Sequence, residues 1–155
     1  MPPTLTIERL GNEVVAMAQC IAIDTDAFPY PSARFAGYAP WHRVWVARES
    51  EGSRVIGFLA GHAQRRVFVV DGVAVDRHHR RRGAGRALVR HCVANARMGR
   101  LEVVVLCVSV TNREALDLYA SEGFVVSRRL PGYYAPGVYG QTRSDALQMT
   151  RALAR

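Results

Sequence analysis

The stretch from Val73 to Leu88 constrains the fold of this chain most, because it predicts a strand, a tight turn and a helix in direct succession. Gly83 and Gly85 in the turn allow positive φ and a close approach of the backbone to a ligand. The helix that follows offers N–H groups without intrahelical partners and the positive end of its dipole. This arrangement predicts a site for a phosphate or a pyrophosphate.

Four interpretations of this turn compete. A dinucleotide site would need a third glycine or alanine where this chain has Leu88. A nucleic-acid interface is weakened because the arginine run is not interleaved with aromatic residues. The turn could also be a solvated arginine loop before an ordinary helix. The fourth interpretation is a pyrophosphate cradle for coenzyme A.

Hydrophobic periodicity elsewhere predicts an α/β fold built on one central sheet. Strands are expected at 4–9, 44–48, 55–62, 67–75, 101–109, 124–130 and 146–150. Helices are expected at 12–28, 32–38, 83–97 and 112–123, with a turn-rich stretch at 131–144. Asn12 is the expected cap of the first helix, which would bury the face formed by Val15, Ala18, Ile21 and Ala22.

Length and composition narrow the class of protein. A chain of 155 residues predicts a single domain over residues 1–155. The net charge of +8 favours anionic partners. The sequence contains no lysine, which excludes a lysine phosphate loop and Schiff-base chemistry. The run Val103–Val108 is too short to cross a bilayer, and no secretory signal is apparent, so a cytoplasmic protein without membrane contact is expected.

The cysteines and histidines predict no metal centre. Cys20, Cys92 and Cys107 are too few and too scattered for a disulfide framework or a zinc site. Reduced thiols are therefore expected. His78 and His79 lie in the arginine loop without a metal-like partner and are expected to be solvated.

Several blocks in the right order resemble the GNAT acyltransferase superfamily over almost the whole chain. The pattern R-x-x-G-x-G at Arg80–Gly85 resembles its cofactor motif, and Thr111–Tyr119 with Glu122–Phe124 resembles its second conserved block. A subgroup resemblance, to the ribosomal-protein-alanine N-acetyltransferases, rests on three further segments: Ala27–Tyr30, Gly132–Tyr134 and Asp145–Met149. The resemblance implies a single mixed, mostly antiparallel sheet of about seven strands with helices on both faces.

The resemblance also implies a role for each matching residue. Tyr119 would be the general acid that stabilises or protonates the departing thiolate. Phe28, Pro29 and Tyr30 would line the slot for the first substrate residues, and Tyr133 and Tyr134 would clamp the peptide backbone. Acetyl-CoA would be held by these residues: Val73, Ala74, Val75, Arg81, Arg82, Gly83, Ala84, Gly85, Arg86 and Asn112. The arginines would act mainly through their main chain.

The general base is where the sequence departs from the family pattern. Cys107 stands where the bacterial family has a glutamate, and Val69 stands where some eukaryotic relatives have a tyrosine. A buried strand cysteine is usually a small apolar residue and not a nucleophile. Water relayed to Asp71, His62 or Glu102 could serve instead, and the sequence does not choose among them.

The expected function is acetyl transfer from acetyl-CoA to an amine. The favoured acceptor is the α-amine at the N-terminus of a protein or peptide, and ribosomal proteins are among the candidate substrates. Roughly a third of an α-amine is neutral at pH 7.5, against about one in a thousand of a lysine side chain, so a weak base suffices for the former. A small-molecule amine or a lysine side chain is the alternative acceptor, and a non-catalytic coenzyme A sensor is the alternative class. Either a monomer or a homodimer fits.

Overall fold

A computed structural model describes residues 4–28, 42–50, 52–134 and 144–154. Its strands are β1 Thr6–Arg9, β2 Arg43–Arg48, β3 Gly57–Gln64, β4 Val67–Val75, β5 Val103–Ser109, β6 Val125–Tyr134 and β7 Ser144–Ala152. Its α-helices are α1 Val14–Ala27, α2 Ala84–Met98 and α3 Arg113–Ser121, and a short 3₁₀ turn covers Arg77–His79. The helix predicted at 32–38 lies outside the described residues. In the described part of the chain, no helix is long and apolar enough to cross a membrane.

The seven strands form one mixed sheet in the order β1-β2-β3-β4-β5-β7-β6, which confirms the predicted fold class. β1 with β2, β2 with β3, β5 with β7 and β6 with β7 pair antiparallel. β4 and β5 pair in parallel, and their register covers only Val67–Val69 with Val103–Val105. β4 continues beyond its last partner on β5 to Val75, the segment in which the family resemblance implies exposed backbone groups.

The chain divides into two compact units, and the expectation of one domain over residues 1–155 stays a prediction. The first unit contains Met1–His62 and Asp71–Cys92. Its core is formed by side chains from α1, β2, β3 and the end of β4. Gly57 is constrained within it, because an added Cβ would lie 3.1 Å from the Ala74 carbonyl oxygen and 3.4 Å from Leu88 Cδ1. β3 and the end of β4 therefore pack at a distance that only glycine permits without adjustment.

The second unit contains Ala63–Val70 and Val93–Arg155. β5 carries the valine-rich run predicted as a buried strand, and it pairs with β7 along its whole length, from Val103 with Ala152 to Ser109 with Ala146. Phe68, Val104, Phe124 and Met149 are buried in this unit. Arg151 on β7 donates a 2.8 Å hydrogen bond to the Glu122 carbonyl at the end of α3, so the sheet also fixes that helix.

The predicted burial of α1 is wrong. Val15 and Ile21 are 71% and 40% exposed, and the buried side chains are Ala16, Cys20, Ile23 and Asp24. The helix is apolar on most sides, so spacing alone does not single out a face, and the small Ala16 and Cys20 allow the closest packing. The cap is also different: Glu13, and not Asn12, occupies the N-cap position. The predicted end at Phe28 is confirmed, since Phe28 is the C-cap.

The turn predicted to begin at residue 131 is wrong for its first four residues. β6 continues through Pro131 and Gly132 to Tyr134, with a register shift between Leu130 and Tyr134. Proline is compatible with an edge strand, and β6 is the edge of this sheet. Residues 135–143 of the predicted turn lie outside the described part, and its last residue, Ser144, begins β7 instead.

Candidate functional site

The glycine turn joins β4 to the N-terminus of α2 through two residues with positive φ. Gly83 has φ +89° and Arg81 has φ +65°, and α2 begins directly afterwards at Ala84. The Gly83 carbonyl accepts from the Ala87 N–H at 2.9 Å, so Gly83 closes the first turn of the helix. Turns with alternating backbone conformations direct successive N–H groups to one side, where they bind anions. The strand, turn and helix predicted at 73–88 are confirmed, whereas binding of pyrophosphate there stays a prediction.

Two arginine side chains of this loop are tied to the protein itself. Arg82 Nη1 lies 3.0 Å from Glu49 Oε1, and Arg80 Nε donates to the Val75 carbonyl at 3.1 Å. The prediction that His79 is solvated is wrong, because its side chain is half-buried and its Nδ1 lies 2.5 Å from Asp76 Oδ2. This pairing lowers the pKa of Asp76. His78 is exposed, as expected. These contacts favour the expectation that the loop works through its main chain.

The end of β4 leads straight into the turn. Ala74 is buried, while Val73 and Val75 are half-buried. The Asp76 N–H donates to the Ile56 carbonyl at 2.7 Å, which anchors the strand where the loop begins. Residues 73–75 and 81–86 all belong to the first unit, so the structure brings the predicted pantetheine and pyrophosphate segments into one body.

Helix α3 in the second unit carries Asn112 and Tyr119. Asn112 is the N-cap, and its Oδ1 accepts from the Ala115 N–H at 3.2 Å, which leaves the side-chain amide group to donate elsewhere. Tyr119 is 8% exposed, and its ring lies 5.9 Å from that of Phe124. Burial raises the pKa of Tyr119 to about 12, so the phenol keeps its proton throughout the physiological pH range. It can therefore donate to a developing anion.

The tyrosine pair lies at the end of β6. The rings of Tyr133 and Tyr134 meet edge to face at 5.0 Å. Asp145 on β7 holds the preceding residues, with Oδ1 accepting from the Gly132 N–H at 2.8 Å and Oδ2 from Arg129 Nε at 2.7 Å. Tyr133 also forms a side-chain hydrogen bond with Cys107 on β5. Burial nevertheless raises the pKa of the Cys107 thiol.

The predicted substrate loop is only partly described. Phe28 packs against the core of the first unit, and its N–H donates to the Asp24 carbonyl at 3.0 Å. Pro29 and Tyr30 lie outside the described residues. The roles of all three in substrate binding remain predictions.

Three side chains of the first unit form a polar cluster that the sequence did not group. His62 Nδ1 lies 2.8 Å from Asp71 Oδ2, and His42 Nε2 lies 3.7 Å from the same oxygen. The rings of the two histidines meet at 5.1 Å. Sequence reasoning named His62 and Asp71 separately and missed His42. The alternation of apolar and polar residues predicts that residues 62 and 71 lie on strands. Their contact becomes visible only when β3 and β4 are placed in the sheet.

Comparison with known proteins identifies the family. The profile of the acetyltransferase (GNAT) family matches residues 17–124. The chain belongs to this family. It is 42% identical over 77 residues to N-alpha-acetyltransferase 30 of Xenopus laevis, covering 50% of this chain and 26% of that protein. The chain therefore spans about a quarter of the length of this curated relative.

Solved structures of this acetyltransferase family share the fold. The ribosomal-protein-S18-alanine N-acetyltransferase from Escherichia coli superposes with a TM-score of 0.84 at 24% identity, covering 98% of this chain and 96% of that one. NAA60 of Arabidopsis thaliana, solved with a bisubstrate analogue, superposes with a TM-score of 0.79 at 21% identity, covering 97% and 100%. At these identities the superpositions establish the architecture alone.

Proposed function

We propose that this acetyltransferase moves the acetyl group of acetyl-CoA onto the N-terminal α-amine of a protein or peptide. Both substrates are bound together, and no acyl-enzyme forms. The main chain of residues 81–86 holds the pyrophosphate, residues 73–75 hold the pantetheine amides, and Asn112 adds a hydrogen bond. Phe28, Pro29 and Tyr30 with Tyr133 and Tyr134 hold the acceptor peptide. We also propose that the protein acts in the cytoplasm.

One observation carries this proposal: the 77-residue match, at 42% identity, to a protein named as an N-alpha-acetyltransferase. The glycine turn supports the acetyl-CoA half, because positive φ at Arg81 and Gly83 precedes a helix start that suits a diphosphate. The peptide half is supported by the edge-to-face pair Tyr133 and Tyr134, which directly follows Gly132, whose N–H donates to Asp145.

Tyr119 supplies the proton chemistry at the leaving group. When the amine attacks the thioester carbonyl and the C–S bond breaks, the electron pair remains on sulfur. The buried phenol donates a hydrogen bond to that thiolate. Because shielding from water raises the pKa of a thiol as it does that of a phenol, the proton can follow onto sulfur. Holding both substrates together supplies much of the remaining rate.

Two matched peptides test the acceptor. Both contain one lysine; the first has a free N-terminus and an acetylated lysine, and the second has an acetylated N-terminus and a free lysine. Thiol release from acetyl-CoA and peptide mass are measured with each. We expect modification of the first peptide alone. Modification confined to the second peptide would overturn the α-amine proposal. In that case, peptides with the N-terminal sequences of ribosomal proteins would be acetylated no faster than other peptides.

A further inference from the structure

Position 107 holds a cysteine and so offers no carboxylate to accept a proton. His62, which is hydrogen-bonded to Asp71, offers an imidazole nitrogen that can accept one. We infer that His62 is the general base of the acetyl transfer and that Asp71 is its positioning residue. This inference rests on the proposed function. His62 Nδ1 and Asp71 Oδ2 are 2.8 Å apart, and the two side chains are 23% and 27% exposed. The pair is therefore accessible to a substrate, and the hydrogen bond orients the His62 ring.

The pairing decides which ring nitrogen is available. A carboxylate can only accept, so the Nδ1–H of His62 donates to Asp71 and Nε2 carries the lone pair. His42 lies against the same carboxylate, with its Nε2 at 3.7 Å, and its ring packs edge-on to that of His62 at 5.1 Å. The carboxylate and the second ring together hold the imidazole in place.

Strand position puts this pair in the functional part of the first unit. Asp71 precedes Val73 by two residues on β4, so the two side chains are on the same face of the strand. Asp71 lies two residues beyond Val69, the last residue of β4 that pairs with β5, and belongs with Val73 to the first unit. The pair therefore lies in the same unit as residues 73–75 and 81–86, which are proposed to hold acetyl-CoA.

Glu102 fits the role poorly. Its Oε1 lies 3.0 Å from Arg66 Nη1 in an ion pair whose side chains are 44% and 70% exposed. Glu102 also directly precedes β5, five residues before Cys107, which is about 16 Å along an extended strand. Cys107 itself has a raised pKa, so it is a neutral thiol at neutral pH.

The proton balance is complete without any further reagent. As the neutral amine forms its bond to the acetyl carbon, one of its protons passes to Nε2 of His62. The C–S bond then breaks, and the departing sulfur receives the proton of Tyr119. The imidazolium afterwards gives its proton to water, and the tyrosinate takes one from water. One proton moves in net from nitrogen to sulfur.

A metal centre is the competing occupant of this cluster, because donor atoms of His42, His62 and Asp71 all lie within 4.8 Å of one another. Two donors bound to one tetrahedral zinc ion stand roughly 3.3 Å apart. The 2.8 Å separation of His62 Nδ1 and Asp71 Oδ2 is instead that of a hydrogen bond. The geometry therefore favours the base over the metal.

The test compares His62→Ala, Asp71→Asn and the control Glu102→Gln with the unaltered protein, using thiol release with an α-amine peptide. We expect kcat to fall by about 100-fold or more in His62→Ala, which is the usual contribution of a general base, with coenzyme A affinity unchanged by calorimetry. Added imidazole should restore turnover to His62→Ala, because it can occupy the space left by the missing ring. It should not restore turnover to Asp71→Asn, in which the His62 ring is still present but wrongly oriented. Glu102→Gln stays within about twofold.

Three outcomes overturn the inference. The first is activity of His62→Ala within about twofold of the unaltered protein, and the second is an equal loss in Glu102→Gln. The third is loss of activity in EDTA that zinc restores, together with a loss in His42→Gln as large as that in His62→Ala, which would make the cluster a metal site. If the unaltered protein releases no thiol with any amine, the proposed function itself has failed, and the inference falls with it.

Discussion

Tyr133 and Cys107 share a side-chain hydrogen bond, which joins the end of β6 to β5. A residue proposed to hold the peptide therefore contacts the residue that stands where the family resemblance implies a glutamate. The sulfur is partly buried, and burial outweighs the lowering effects of Tyr133 and Arg128 on its pKa. Cys107 is consequently a neutral packing partner for the tyrosine and not a reactive group.

Replacement of Cys107 should leave the chemistry intact. Because the thiol is protonated at neutral pH, we expect Cys107→Ser and Cys107→Ala to keep kcat within about threefold. Cys107→Ser can still bond to Tyr133, so it should also keep the KM for the peptide, whereas Cys107→Ala should raise that KM. Steady-state thiol release measures both constants. An acetylated enzyme trapped by intact mass, and lost on replacement of Cys107, would contradict this prediction.

Replacement of Tyr119 by phenylalanine should remove the acid and keep the fold. We expect kcat to fall by about 100-fold or more, the usual contribution of a general acid, with coenzyme A affinity unchanged. The ring contact with Phe124 at 5.9 Å survives, so the melting temperature should stay close to that of the unaltered protein. A fall of less than about threefold would assign Tyr119 to packing.

The raised pKa of Tyr119 also predicts the alkaline side of the pH profile. A phenol with a pKa of about 12 stays protonated well above pH 9, so its ionisation should cause no loss of kcat up to about pH 10. The unaltered protein and Tyr119→Phe should therefore have alkaline limbs of the same shape over this range. A loss of kcat between pH 8 and pH 10 that disappears in Tyr119→Phe would show that Tyr119 ionises in this range, and would contradict the raised pKa.

Local signals predicted the elements of the site well. Asn112 was expected to cap a helix and does so through Ala115, and the Gly83 turn begins α2 as expected. These features depend on neighbouring residues, so a short stretch of sequence contains the whole cause. The fold class followed from their order together with the family resemblance.

Features that depend on packing were not predictable in this way. The buried face of α1 is set by which small residues fit the sheet, as Ala16 and Cys20 do, and not by spacing. The meeting of His62 with Asp71 depends on the register of two strands, and the pairing of Arg82 with Glu49 joins residues 33 positions apart. Pro131 suggests a turn by itself but lies in an edge strand. Only the assembled sheet determines these contacts.

Asp145 should control peptide binding and its dependence on acid. Its carboxylate accepts from the Gly132 N–H and from Arg129, and these bonds, the backbone one first, lower its pKa below the ordinary 3.8. The stabilisation is therefore present above about pH 4 and is lost as the pH falls through the lowered pKa. We expect Asp145→Asn to raise the KM for the peptide and to leave that for acetyl-CoA unchanged.

The control for Asp145→Asn is Glu8→Gln. Glu8 lies on β1, and its carboxylate is also paired with an arginine, Arg48, at 2.6 Å. Steady-state kinetics on both variants, and hydrogen exchange at the Gly132 amide from pH 5 down to pH 3, measure the effect. An unchanged peptide KM in Asp145→Asn, or an equal rise in Glu8→Gln, would contradict the prediction.

Gly83 and Gly52 form a matched pair for testing the proposed diphosphate site. Both have positive φ, +89° and +77°, and neither would meet a heavy atom closer than 3.9 Å if a Cβ were added. Alanine at either position therefore costs about 1 kcal/mol of backbone strain without a clash. We expect both variants to lose about that much stability in denaturant unfolding, while only Gly83→Ala weakens coenzyme A binding in titration calorimetry, by about tenfold. Equal affinity of Gly83→Ala and Gly52→Ala for coenzyme A would place the diphosphate away from this turn.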